Sequence, residues 1–156
     1  MIILDTNVVS EVLCPIPDLR VAVWFEQTTE KHVITAVTAA ELLQGVALLP
    51  EGRRRLDLSS KVEYLLGTCE AEILDFTLPA ARQYAFVRSG RTRMGRPISV
   101  ADAMIAAICR ANGASLATRN VKDFEGLGLT LVNPWEDPPV AAPSTGRGGR
   151  RGRTGG

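Results

Sequence analysis

Four acidic residues of this chain stand where predicted strands end or predicted helices begin. Asp5 directly follows the apolar run of residues 1–4, which predicts a buried strand. Glu41 and Asp102 fall in the first turns of two predicted helices, and Asp123 falls in a short predicted loop. In a doubly wound sheet the carboxyl ends of the strands and the starts of the helices share one edge, where ligands bind. We therefore expect the four carboxylates to converge there as the catalytic group.

Such a group of carboxylates favours a hard divalent cation. Unneutralised carboxylates repel each other and raise one another's pKa values, which a cation between them relieves. Mg²⁺ prefers oxygen ligands, keeps several waters and needs only one or two direct carboxylates. No cluster of histidines or cysteines competes, so zinc is disfavoured. The sequence predicts Mg²⁺ or Mn²⁺ bound by Asp5 and Asp102, with Glu41 bound directly or through water.

Each acid also has a purely structural interpretation. Glu41 follows Thr38 by three residues, and Asp102 follows Ser99 by three, which is the spacing of a helix capping box. Asp5 fits an Asx turn, and Asp123 fits an ordinary surface loop. The helix that contains Asp102 is otherwise almost wholly apolar, so an acid there either faces a cleft or costs stability.

Alternating elements indicate the fold class. Short strands are predicted over residues 1–4, 32–35, 72–76, 115–118 and 129–132. Amphipathic helices are predicted between them, one beginning after the cap residue Asp18 and another at Thr38. Ser99 is expected to cap the apolar helix and Gly113 to end it. Residues 88–97 are predicted to be an irregular basic loop. The order indicates an α/β fold, a three-layer sandwich with a mostly parallel central sheet flanked by helices.

Length and composition indicate one domain and a tail. The chain has 156 residues and a hydrophobic content of 46%, enough for one compact core over residues 1–136. Residues 137–156 are rich in Pro, Gly and Arg and predict a disordered tail. The amino terminus has no basic segment typical of a signal peptide, and no apolar run approaches the length of a membrane span. An odd number of cysteines agrees with a reducing compartment, so we expect a cytoplasmic protein.

Four sequence motifs, in order, resemble those of the PIN-domain ribonucleases, and most of all the VapC/FitB-like toxins of type II toxin–antitoxin systems. The motifs are residues 3–7 (ILDTN), 38–45 (TAAELLQG), 97–107 (PISVADAMIAA) and 117–124 (ATRNVKDF), and the resemblance covers about residues 1–135. It implies the PIN fold and a metal-dependent ribonuclease in which Asp5, Glu41 and Asp102 match the core acids. It gives supporting roles to Thr6, Asn7, Thr118 and Asn120. Many relatives have aspartate where this chain has Asn120, so either Asn120 or Asp123 completes the site.

An RNA substrate requires cations around the acidic site. Arg88, Arg91, Arg93 and Arg96 lie just before Asp102, and Arg119 and Lys122 flank Asn120, so these six residues are candidates for phosphate contacts, with an ordinary solvated loop as the alternative. The Arg/Gly tail is either a further source of RNA affinity or a linker.

The resemblance also implies partners: a homodimer, and a VapB-type antitoxin that inhibits the toxin and joins it on promoter DNA. Four apolar residues are candidates for these surfaces, although core packing is favoured for them: Trp24, Phe25, Leu65 and Leu66.

Two other functions compete with the ribonuclease. A phosphatase of the haloacid-dehalogenase class would use Asp5 as nucleophile, but the chain has Asn7 where that class has a second aspartate. A catalytically silent binding module with a PIN fold is the other alternative, and the presence of Asp5, Glu41 and Asp102 argues against it.

Overall fold

The structure, a computed structural model, describes residues 1–69 and 72–137. Within these residues, four strands and seven helices follow one another along the chain. They are β1 (Ile2–Leu4), α1 (Thr6–Val12), α2 (Leu19–Gln27), β2 (His32–Val33), α3 (Ala36–Ala47), α4 (Arg53–Cys69), α5 (Leu78–Arg93), α6 (Val100–Asn112), β3 (Ser115–Ala117), α7 (Val121–Phe124) and β4 (Leu131–Val132).

The four strands form one sheet in the order β2-β1-β3-β4, and every neighbouring pair is parallel. Ile2 is in register with His32 on one side and with Ser115 on the other. The carboxyl ends of all four strands therefore lie at one edge of the sheet, which we call the carboxyl edge. The prediction of a parallel sheet is confirmed.

Helices cover both faces of the sheet. Ile2 and Leu4 belong to one buried apolar cluster, which also contains side chains of α1, α2, α3 and α4. Ile3 points to the opposite face, into a cluster with side chains of α5, α6 and α7. Because successive strand residues point to opposite faces, the three residues of β1 supply both cores. This arrangement confirms the three-layer sandwich.

The apolar residues considered as partner surfaces belong to the interior. Trp24 is fully buried, and Phe25, Leu65 and Leu66 pack against the cluster that contains it. Core packing, the favoured interpretation of these four residues, is confirmed, because α2 and α4 turn these side chains toward the sheet.

Several helix ends agree with the sequence. Asp18 accepts a hydrogen bond from the backbone N–H of Arg20, and Ser99 accepts one from Asp102, so both cap their helices as predicted. Gly113 ends α6 with a φ of +60°, a conformation that strains any residue with a Cβ.

Three predicted boundaries are wrong. Helix α3 begins at Ala36 and not at Thr38, because Thr35 takes the cap position and accepts from the Thr38 N–H. The predicted strand over residues 72–76 is reduced to a single bridge between Leu74 and Thr35. Helix α5 continues through Arg93 into the segment predicted as a basic loop. Arginine has a high helix propensity, so the helix can continue through this basic segment. The prediction ended the helix earlier because it followed only the apolar residues.

The described part of the chain contains no helix that is both long and apolar enough to cross a membrane. The predicted tail lies outside the described residues from residue 138 onward.

The left-handed end of α6 gives a test of the backbone. Gly113→Ala should lower the free energy of unfolding by about 1 kcal/mol, because alanine is strained at this φ. Gly90→Ala is the matched control: Gly90 lies within α5 with open space around it, so alanine should raise the free energy of unfolding by about 0.5–1 kcal/mol. Urea titration measures both, and equal effects of the two changes would contradict the assignment.

Candidate active site

Asp5 lies at the carboxyl edge, between β1 and α1. Its backbone N–H donates to the carbonyl of Ala117 in β3 at 2.9 Å, and its own carbonyl accepts from Val8 and Val9 in the first turn of α1. The residue thus ends the strand and caps the helix, and it is only 4% exposed. Both roles fix its backbone, so the carboxylate has little freedom to move.

Both carboxylate oxygens of Asp5 accept hydrogen bonds. Oδ1 accepts from the backbone N–H of Thr6 at 2.8 Å, and Oδ2 accepts from Asn7 Nδ2 and from Thr118 Oγ1, each at 2.6 Å. Thr118 in turn accepts from the backbone N–H of Asn120 at 3.0 Å. Three donors therefore hold a carboxylate that can accept about four hydrogen bonds, which leaves room for one further partner.

The electrostatics of Asp5 show that other acids lie near it. Burial raises the pKa of the Asp5 carboxyl above its ordinary value of 3.8, whereas the hydrogen bonds from Thr118 and from the Thr6 N–H lower it. The negative charges of Asp102 and Glu41 raise this pKa further. The structure thus brings Asp102 and Glu41 within electrostatic reach of Asp5.

Glu41 is oriented by a residue of another helix. Thr6 Oγ1, at the start of α1, donates to Glu41 Oε2 at 2.5 Å. The alternative of a capping box with Thr38 does not hold, because Thr35 and not Thr38 is the cap of α3. The half-buried Glu41 carboxylate therefore faces α1 and the neighbourhood of Asp5.

Asp102 combines a capping role with a position near Asp5. Ser99 Oγ accepts from the Asp102 N–H at 3.0 Å and donates to Asp102 Oδ2 at 2.7 Å. The reciprocal pair holds the carboxylate at the amino end of α6, where the helix dipole favours negative charge. The capping-box spacing predicted from the sequence thus joins these two residues, with the carboxylate accepting from the Ser99 hydroxyl.

Asn120 directly precedes the short helix α7, which contains Asp123. Asp123 is exposed and lies in α7, not in a loop as predicted, and its N–H donates to the carbonyl of Asn120 at 2.9 Å. Both residues line a polar cleft of about 550 Å³ whose walls do not include Asp5, Glu41 or Asp102. Asn120 is connected to the site through its backbone bond to Thr118.

The predicted RNA-binding cations are used in different ways. Arg91 is 4% exposed and donates to the carbonyl of Glu125, which corrects the prediction of a phosphate contact for this residue. Arg88 is half-buried and donates to the carbonyl of Ile98 at 2.6 Å. Arg96 lies 3.8 Å from Glu125 on the surface. The exposed residues Arg93 and Lys122 remain candidates for RNA contacts.

Arg119, the sixth predicted cation, stacks over a buried aromatic ring. Its guanidinium carbon lies 5.2 Å from the ring centroid of Trp135, which is 6% exposed. This contact could not be predicted from the sequence, because the two residues come from different parts of the chain.

The donor set fits a cation that retains much of its water. Asp5, Glu41 and Asp102 offer only oxygen atoms, which suit Mg²⁺ or Mn²⁺. Within residues 1–69 and 72–137, no three acidic, histidine or cysteine side chains are close enough together to enclose a metal ion. The described side chains therefore do not form an enclosed metal cage.

A parallel α/β sandwich with acids at its carboxyl edge defines a class of folds, and comparison with known proteins defines the family. The family model described as "PIN domain" matches residues 2–127. The chain belongs to the PIN-domain family.

The relatives of the chain include a VapC ribonuclease and the toxin FitB. The chain is 40% identical over 138 residues to VapC ribonuclease Y4jK of Sinorhizobium fredii, covering 87% of this chain and 99% of the relative. It is 39% identical to toxin FitB of Neisseria gonorrhoeae, covering 88% of this chain and 100% of FitB. The crystal structure of FitAcB from Neisseria gonorrhoeae superposes with a TM-score of 0.80 at 38% identity, covering 87% of this chain and 99% of that one. VapBC2 from Rickettsia felis, bound to a promoter DNA fragment, gives 0.72 at 28% identity, covering 85% and 98%.

The raised pKa of Asp5 predicts how stability depends on pH. A carboxyl whose pKa is higher in the folded state contributes stability at low pH, which is lost as pH rises through the folded pKa. In the presence of EDTA, the free energy of unfolding of the wild type should therefore fall relative to that of Asp5→Asn as pH rises above 3.8. Denaturant titrations at a series of pH values measure the difference. A difference that stays constant or grows with pH would contradict the raised pKa.

Proposed function

We propose that this chain is a ribonuclease toxin of a VapBC-type module, which hydrolyses RNA phosphodiester bonds with the help of Mg²⁺ or Mn²⁺. The observation that carries the proposal is Asp5, a buried carboxylate whose pKa is raised by burial and by the charges of Asp102 and Glu41. The charges of Asp102 and Glu41 oppose ionisation of the buried Asp5, and a bound cation would relieve this repulsion. The names of the relatives, VapC ribonuclease and toxin FitB, supply the reaction and the biological class.

Asp5 and Asp102 would bind the cation, with Glu41 bound directly or through water. When bound, the cation lowers the pKa of the attacking water and neutralises charge on the phosphate. The protein's own residues hold these acids in place. Thr118 and the Thr6 N–H favour the charged form of Asp5 by donating to it, Ser99 holds Asp102, and the Thr6 hydroxyl holds Glu41. Thr6 thus connects two of the three acids.

An apolar groove beside the site supports an antitoxin partner. A cavity of about 450 Å³ begins at Thr6 and Glu41 and continues between α1, α3 and α4. Its walls are mainly apolar and include Leu13, Leu42, Val46, Leu49, Leu58 and Val62. We assign it to an apolar segment of a VapB-type antitoxin, because solved relatives are toxin–antitoxin complexes. A bound segment would lie next to Glu41 and obstruct the site.

The relatives also support an assembly on DNA. The structures of FitAB and of VapBC2 contain DNA, in the second case a fragment of the promoter. We propose the same arrangement here, with the antitoxin joining the toxin to its own promoter. The homodimer implied by the resemblance stays a prediction.

Metal-dependent cleavage is the main test of the enzyme. Wild-type protein should cleave a structured RNA pool with Mg²⁺ or Mn²⁺ and not with EDTA. Asp5→Asn should lower the rate by more than about 100-fold, since loss of an outer partner of a metal ligand alone costs about 10–100-fold. Glu41→Gln should also be inactive, although glutamine can still accept the Thr6 hydroxyl.

Two further variants sharpen this test. Glu63→Gln, an exposed acid on α4, should leave the rate unchanged. Asp123→Asn should have a small effect if its separate cleft is not part of the site, and a large one if Asp123 completes it. Cleavage that survives both Asp5→Asn and Glu41→Gln would contradict the proposed mechanism. A folded wild type that binds neither Mn²⁺ nor RNA would support a silent binding module.

The groove gives an independent test of the partner. Gly45 lies in the wall of the groove, on α3, with open space where a Cβ would be. Gly45→Leu should fill the groove without straining the helix and weaken binding of the antitoxin of the module by about tenfold or more, which corresponds to about 1.4 kcal/mol. Gly45→Ala, which adds one methyl group, is the matched control. Isothermal titration calorimetry measures both, and unchanged affinity of the leucine variant would place the antitoxin elsewhere.

A further inference from the structure

The backbone of Arg119 is connected to the hydrogen bonds around Asp5. Its N–H donates to Asn7 Oδ1 at 3.1 Å, and the same asparagine side chain donates through Nδ2 to Asp5 Oδ2 at 2.6 Å. Arg119 also directly follows Thr118, whose hydroxyl donates to Asp5 Oδ2 at 2.6 Å. Two separate connections therefore fix the backbone of this arginine relative to the carboxylate.

A buried tryptophan holds the side chain of Arg119. The guanidinium carbon lies 5.2 Å from the ring centroid of Trp135, within the distance of about 6 Å at which an aromatic ring attracts a cation. The Trp135 N–H donates to Asn133 Oδ1 at 3.1 Å, directly after β4. In β4 itself, the Val132 carbonyl accepts from the Thr118 N–H at 2.9 Å. The tryptophan and the arginine are thus both attached to the pair of strands β3 and β4.

The exposed guanidinium of Arg119 keeps its hydrogen-bond donors available. Within residues 1–69 and 72–137, no oxygen atom accepts a hydrogen bond from this side chain, and no acidic side chain forms an ion pair with it. Arg88 and Arg91, in contrast, donate to backbone carbonyls. Hydrogen bonds from Arg20 lower the pKa of Asp18 to about 2, and the charge of Arg119 contributes less to this shift. Asp18 is thus engaged by Arg20, and Arg119 can bind an acceptor from outside the chain.

Arg119 also lies in the wall of the polar cleft that contains Asn120 and Asp123. The volume of this cleft, about 550 Å³, falls within the range of about 300–1,000 Å³ that is typical of sites for small molecules. Arg119 and Lys122 are the basic residues in its wall, and four acidic residues line it as well: Asp123, Glu125, Glu136 and Asp137. Since these acids repel a phosphate, a strand that enters the cleft is expected to place its phosphates beside the two cations.

We infer that Arg119 binds a phosphate of the RNA strand next to the scissile bond, and that Trp135 is a positioning residue that orients its guanidinium. The inference rests on the proposed ribonuclease function. A planar guanidinium can donate two parallel hydrogen bonds to one phosphate, whereas a lysine ammonium acts as a point charge. Phosphate contacts fix the register of a nucleic acid and carry no base information. Arg119 would therefore position the strand for cleavage at Asp5 without selecting its sequence.

The ring of Trp135 prepares Arg119 for this contact. A long side chain loses rotamer freedom when it binds a partner, and this loss weakens the affinity. Because Trp135 already restricts the guanidinium, less freedom remains to be lost when the phosphate binds. The attraction to the ring is electrostatic and needs no hydrogen-bond acceptor, so it leaves the N–H donors for the phosphate.

The test compares the full chain with Arg119→Gln and Arg119→Lys. Binding of a fluorescent 20-nucleotide oligouridine is measured by anisotropy in EDTA, so that no metal-dependent cleavage occurs. Arg119→Gln should weaken binding about tenfold at about 50 mM salt. It should also reduce the slope of log affinity against log salt concentration by about 0.7, the effect of one lost phosphate contact. Arg119→Lys should keep the slope but bind less tightly than the wild type, because an ammonium cannot form the two parallel bonds.

Arg82→Gln is the matched control, since it also removes one exposed arginine. Arg82 lies beside Gln83, which accepts from Arg110 at 2.8 Å. Arg110 lies in the last turn of α6, whereas Asp102 lies in the first, so Arg82 is far from the site. This variant should bind oligouridine as the wild type does, which separates the position of Arg119 from its contribution to the net charge.

Trp135→Leu tests the positioning role. It should weaken binding about threefold, because the guanidinium must then be ordered by the RNA itself. Trp135→Phe keeps an aromatic ring and should restore most of the affinity. In the Arg119→Gln background, Trp135→Leu should have no further effect, since no guanidinium is left to orient. Urea titration shows that each variant is folded under the conditions of the assay.

Several outcomes would overturn the inference. Equal affinity and slope for the wild type and Arg119→Gln, or a loss no larger than that of Arg82→Gln, would show that the guanidinium does not contact RNA. A loss from Trp135→Leu that persists in full without Arg119 would show that the ring acts only through the fold. If the wild type still cleaves the RNA pool with Mg²⁺, these results leave the ribonuclease proposal intact. A wild type that neither binds oligouridine nor cleaves the pool would overturn both.

Discussion

The parallel pairing of β1 with β3 is the constraint on which the site depends. It places Asp5 and Thr118 at the ends of adjacent strands, where the Thr118 hydroxyl donates to the Asp5 carboxylate at 2.6 Å. The two residues are 113 positions apart, so this bond forms only when the whole domain is folded. Asp5 also caps α1, and through Thr6 that helix positions Glu41. One strand pair therefore determines the position of two of the three acids, and α6 brings the third.

The site is held at a cost to stability. A carboxylate that is almost fully buried loses hydration, and the charges of Asp102 and Glu41 repel its charged form. Three donors offset part of the cost, and the remainder keeps the pKa of Asp5 raised. Natural proteins commonly accept such local instability where function requires it. Neighbouring acids do not stabilise an aspartate that has only a structural role. The presence of Asp102 and Glu41 near the buried Asp5 therefore argues for a bound cation.

The sequence predicted the architecture well because the signals were local. The run before Asp5, the cap residues Asp18 and Ser99 and the glycine after α6 each depend on only a few neighbouring residues. It predicted Asp5 at a strand end and Asp102 at a helix start for the same reason, whereas Glu41, predicted in a first turn, is the sixth residue of α3. It could not predict which arginines are used inside the domain. Arg91 is buried because α5 packs against α6 and places it below Glu125, a contact between segments 34 residues apart.

An antitoxin segment bound in the apolar groove would inhibit the site without a conformational change. The groove begins at Thr6 and Glu41, so the residues that orient the site also form the first wall of the groove. A segment that buried apolar surface against α3 and α4 would end beside the acids, where their negative charge would attract a cation on that segment. The affinity would then come from the apolar contacts, whereas the blocking would come from the position of the segment. The carboxylates proposed to bind a metal ion would thus also attract a positively charged inhibitor.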